Sequence, residues 1–104
     1  MIRVLVTLRQ DQILKIEVKG HAGSDVHGKD LICAGVSTVG LGALNALDQL
    51  FTEDCELEMN ENLISIGVIH NSDALQKCLN FLLLQLKMVE ETYPKNIKIS
   101  RKEV

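Results

Sequence analysis

The residue types best suited to chemistry fall between positions 20 and 37. Cys33 stands three residues after Asp30, at the head of an apolar run with helical spacing. Asp is a good helix N-cap, so the pattern predicts a helix opening at Asp30 with Cys33 in its first turn. There the unpaired N–H groups and about half a unit of positive charge favour thiolate over thiol. The thiolate is the nucleophile. The Asp30 carboxylate works against this, so a second cation is wanted. His21, twelve residues before Cys33, supplies one when protonated. Cys and His within hydrogen-bond reach are the minimal pair for acyl transfer. Backbone N–H groups around Cys33 would hold the developing oxyanion. Ser37 lies one turn beyond Cys33 on the same helix face, placed to bond the sulfur or position a substrate. The plainer readings are a small core cysteine, a loop histidine, a serine bonded to a helix carbonyl and an aspartate that only caps.

Two other chemistries compete for these residues. Gly23-Ser24-Asp25-Val26-His27-Gly28-Lys29-Asp30 nearly spells the phosphate loop G-x-x-x-x-G-K-[ST], between a strand and a helix. Asp30 replaces the hydroxyl that would hold Mg²⁺, and sets a negative charge against phosphates. His21, His27 and Cys33 offer three N/S ligands for Zn²⁺, but their spacing matches no standard zinc signature. The other cysteines, Cys55 and Cys78, read as packing residues on a strand and on a helix.

The elements that must position these groups follow from periodicity. Ile2-Val4-Val6-Leu8 and Leu14-Ile16-Val18 alternate with polar residues across the turn Gln10-Asp11-Gln12, predicting a hairpin. Residues 20–30, with three glycines, are predicted to be a loop. Ile32, Val36, Val39, Ala43, Leu47 and Leu50 continue the first helix to Phe51. Cys55-Leu57-Met59 and Ile64-Ile66-Val68 form a second hairpin. A second helix opens at Asn71-Ser72-Asp73, carries Leu75, Leu79, Leu82, Leu86 and Val89, and stops at Tyr93-Pro94. Asn96 to Arg101 adds an edge strand. The expectation is an α+β two-layer sandwich, ββαββα(β), with antiparallel hairpins packed against two helices.

Composition limits the function classes. The 104 residues are 46% hydrophobic and 24% charged, as expected for a single domain, residues 1–104, with its own core. Eleven Lys and Arg against fourteen Asp and Glu give a net charge of −3, which argues against direct nucleic-acid binding. Aromatics are only 3%, which removes a base-stacking platform. The charge-free run from Leu31 to Leu47 is short for a membrane span and reads as a buried helix with a small-residue face. Three cysteines without a C-x-x-C pair, and a start without signal-peptide anatomy, predict a reducing cytoplasm.

Gly20-His21-Ala22-Gly23 followed by Gly28-Lys29-Asp30-Leu31-Ile32-Cys33-Ala34-Gly35-Val36-Ser37 resembles the ribosomal-processing cysteine protease family, Prp, whose pattern is G-H-A, a glycine-containing loop, then G-x-D-[ILV]-[ILV]-C-A-A-[VIL]-S. The resemblance implies a homodimeric endopeptidase that removes the N-terminal extension from the precursor of bacterial large-subunit ribosomal protein twenty-seven. It needs no cofactor and no metal. It implies Cys33 as nucleophile, His21 as general base, Asp30 and Ser37 as arranging residues, and a substrate loop containing Gly20, Ala22, Gly23 and Gly28. Gly35 stands where the pattern has Ala, and Ser24 where many members have an aromatic residue. The competing class is a non-catalytic ribosome-associated protein whose glycine-rich loop docks a partner peptide.

Overall fold

The computed structural model describes residues 1–20 and 29–104, with every side chain of these but those of Lys29 and Asp30. The chain runs β1 (Ile2–Arg9), β2 (Gln12–Lys19), α1 (Lys29–Leu50), β3 (Cys55–Asn60), β4 (Leu63–Val68), α2 (Asp73–Thr92) and β5 (Ile97–Glu103). The strands form one sheet in the order β3-β4-β2-β1-β5. The α+β two-layer expectation holds, as do the two antiparallel hairpins.

The connections explain why both helices lie on one face. β2 and β3 are parallel with β4 between them, and β4 and β5 are parallel across the sheet. The crossover through α1 moves one way along the sheet; that through α2 moves the other way from a strand of opposite sense. Right-handed crossovers that reverse both travel and sense stay on the same face. α1 therefore covers β3 and β4, while α2 covers β2 and β5. Gly40 sets the closeness of α1, since a Cβ there would stand 2.6 Å from Ile64 Cδ1.

The core lies between sheet and helices: Ile2, Val4, Val6 and Leu8 of β1 meet Leu75, Leu79, Leu82 and Leu86 of α2 in one buried cluster. Three expectations need correction. The alternation through Leu14-Ile16-Val18 is broken by a bulge: Thr7 pairs with Lys15 but Leu8 with Ile13, so Ile13 is buried and Leu14 is half-buried. The side chain of Gln76 closes this irregularity. Ile13 N–H donates to Gln76 Oε1 at 2.8 Å, and Gln76 Nε2 donates to the Ile13 carbonyl at 2.8 Å and to Asn71 Oδ1 at 2.9 Å. Second, α1 is not a wholly buried helix. Cys33, Val36, Gly40 and Leu47 face the core, while Leu31, Leu41 and Leu50 are exposed. Its segment Leu31–Leu50 is long and apolar enough, by length and composition alone, to cross a membrane. Third, α1 begins at Lys29, one residue ahead of Asp30. Asp30 thus sits inside the first turn instead of flanking it, and Cys33 moves into the second turn.

Candidate active site

Three pieces of backbone meet at one end of the sheet. β2 ends at Lys19, which pairs with Arg3 near the start of β1 and with Leu63 just after the β3–β4 turn. Gly20 follows, at φ +83°, a conformation that glycine adopts without penalty. A Cβ at Gly20 would stand 2.7 Å from the Met1 carbonyl oxygen, so only glycine lets the chain turn here. α1 then opens at Lys29, nine residues on from Gly20.

Cys33 is the described candidate nucleophile. Only 9% of its surface is exposed, and it joins the edge of the core cluster. Its sulfur nevertheless faces the strand end: Sγ lies 3.9 Å from the Gly20 carbonyl oxygen, as donor to it. Side chains on a helix lean toward its N-terminus, which carries Sγ back over the first turn. The fold therefore sets the thiol beside the residue that immediately precedes His21. His21 itself, Ala22, Gly23, Ser24, His27 and Gly28 lie outside the described residues, as does the Asp30 side chain. Ser37 is half-buried one turn along α1. The outer face of the helix beside Cys33 carries Leu31, 77% exposed, and the small exposed residues Ala34 and Gly35. A Cβ at Gly35 would meet nothing within 4 Å, so the exchange of Ala for Gly leaves the packing around Cys33 unaltered.

The other thiols have different surroundings. Cys55 and Cys78 are half-buried against the core, as packing residues should be. Burial, and then the nearby Asp54 carboxylate, push the Cys55 thiol up from its ordinary value, which keeps it protonated and unreactive. The structure also weighs against the phosphate-loop reading, because β2 is antiparallel to both its neighbours. No group of three metal-ligating side chains forms among the described residues.

One contact was invisible in the sequence. The Gly20 N–H donates to the Asn62 carbonyl oxygen at 3.3 Å and to Asn62 Oδ1 at 3.2 Å. Asn62 belongs to the β3–β4 turn, 42 residues away, and reads in the sequence only as a turn residue.

The chain matches the family model described as cysteine protease Prp over residues 1–98. It is similar to the ribosomal processing cysteine protease Prp of Staphylococcus aureus, at 31% identity over 106 residues, covering 98% of this chain and 100% of that protein. A crystal structure of an essential ribosomal processing protease Prp from S. aureus with a substrate peptide superposes with a TM-score of 0.88 at 29% identity, covering 98% of this chain and 100% of that one. A second structure of that protease, with a covalently linked product peptide, gives a TM-score of 0.85 at 30% identity over the same shares.

Proposed function

Because the chain belongs to the Prp family and is a ribosomal processing cysteine protease, we propose that it cleaves the N-terminal extension from the precursor of large-subunit ribosomal protein twenty-seven by Cys33–His21 catalysis. The observation that carries the mechanism is the Cys33 sulfur, turned toward Gly20 at 3.9 Å, the residue next to the proposed base. The covalently linked product peptide on the S. aureus relative supports a covalent route.

The steps follow from this placement. The precursor peptide lies extended over the start of α1, where Ala34 and Gly35 leave room beside Cys33. His21 takes the thiol proton, and the sulfur attacks the scissile carbonyl. Backbone N–H groups at the head of α1 stabilise the oxyanion. His21 then gives its proton to the leaving amine, and water releases the acyl group. Asp30 and Ser37 arrange the site. Gly20, Ala22, Gly23 and Gly28 let the preceding loop form around the peptide. No metal or cofactor takes part.

The protein works in this reading as a cytoplasmic homodimer without direct contact to nucleic acid or membrane. Its three free thiols suit a reducing compartment. Leu41, Leu50, Phe81, Leu84 and Met88 are exposed on the helical layer and supply an apolar face for a second copy. A binding module that only docks a peptide is the weaker reading, since the matched family is a protease family.

Cys33→Ser tests the chemistry. The variant should fold normally and lose cleavage of a peptide spanning the precursor junction, a fall of at least about 10³-fold in kcat. Near-normal cleavage by the variant rejects the mechanism.

A further inference from the structure

We propose that Asn62 is a positioning residue of the active site, fixing Gly20 so that its carbonyl stays against the Cys33 sulfur. This assignment rests on the reading of Cys33 as nucleophile and His21 as base.

Regular pairing between β2 and β4 ends at Lys19 and Leu63. Beyond it, the Gly20 N–H would be a frayed donor open to water. Asn62 prevents this with two oxygens, its backbone carbonyl at 3.3 Å and its side-chain Oδ1 at 3.2 Å. The turn that carries Asn62 is itself tied, since the Asn62 N–H donates to Asn60 Oδ1 at 3.0 Å. On its other side Gly20 lies so close to the Met1 carbonyl that a Cβ would stand 2.7 Å from it. Gly20 is thus held from two directions, and the carbonyl on the far side of its Cα meets Cys33 Sγ at 3.9 Å.

Two parameters of the reaction depend on the placement of Gly20: where the sulfur sits, and the direction in which the chain leaves β2 toward the next residue, His21. Losing one arm of the Asn62 grip leaves the exposed turn and the core intact but lets Gly20 rock. Small misplacements of reacting groups lower turnover more than binding.

The test compares Asn62→Ala and Asn62→Asp with the unaltered protein on a peptide spanning the precursor junction, with Cys33→Ser in parallel. Asp keeps an acceptor oxygen where Ala has none. Asn62→Ala should lower kcat about fivefold, the worth of one hydrogen bond, with KM held within about twofold and the melting temperature lowered by no more than about 5 °C. Asn62→Asp should restore kcat to within about twofold of the unaltered protein. An unimpaired Asn62→Ala, or an Asn62→Asp as slow as Asn62→Ala, overturns the assignment while leaving the Cys33 reading standing if Cys33→Ser is inactive. Cleavage by Cys33→Ser removes the nucleophile reading and this assignment with it.

Discussion

Gly20 carries two constraints that no other residue type satisfies together. Its φ of +83° costs an L side chain roughly 1 kcal/mol or more, and the Met1 carbonyl occupies the place of a Cβ. Gly20→Ala should therefore lower the melting temperature by about 5–10 °C and move the carbonyl off Cys33, reducing peptide cleavage at least about tenfold. An alanine variant with unchanged melting and turnover would mean that the strand end is free to adjust. At this scale much of the site was legible in the sequence. Cys33 stands out because a cysteine near a helix start, after a histidine and a glycine-containing loop, is a pattern with a mechanism. Asn62 does not, since its partner arrives through strand pairing 42 residues away. The Asp30 boundary was misplaced by one residue because Lys29 is as willing to start a helix as to precede one.

Among the elements, β2 shows how packing overrides alternation. Leu14, Ile16 and Val18 predict one buried row, yet the bulge brings Ile13 to the core in place of Leu14. The side chain that makes this possible is Gln76 of α2, which meets both the N–H and the carbonyl of Ile13 at 2.8 Å while itself buried. Replacing Gln76 by Leu keeps the volume and orphans two buried backbone groups. Each orphan costs about 1–3 kcal/mol, so urea unfolding should show a loss of about 2–4 kcal/mol. A loss below about 1 kcal/mol would show that water or a shifted strand satisfies Ile13. Period-2 and period-3.6 patterns were enough to find all seven elements, because their apolar residues recur at strand or helix spacing. They could not reveal that β5 runs parallel to β1, since sheet order is set by crossovers and register and not by any local pattern.

The whole molecule leaves its helical layer only partly covered. α1 and α2 flank an apolar groove of about 430 Å³ lined by Val39, Ala43, Leu47, Cys78, Phe81 and Leu82. Phe81 and Leu50, which both line it, are 67% and 70% exposed. Exposed apolar side chains at such a groove suit an interaction face. If a second copy covers it, Phe81→Glu places a charge at the centre of the contact. Light scattering should then move from twice 11.5 kDa to 11.5 kDa without loss of fold. A mass unchanged by the substitution would place the contact elsewhere or leave the protein monomeric.

A thiol made reactive by an imidazole is the centre of the mechanism, and the rate of alkylation of each cysteine by iodoacetamide measures this directly. Mass spectrometry of the labelled protein near neutral pH should find Cys33 modified at least about tenfold faster than Cys55, whose thiol is held protonated by burial and by Asp54. Cys78 should react slowly as well. His21→Ala should abolish the advantage of Cys33 while leaving the other two rates unchanged. Uniform slow labelling of all three thiols, or a fast Cys33 indifferent to His21, would contradict the claim.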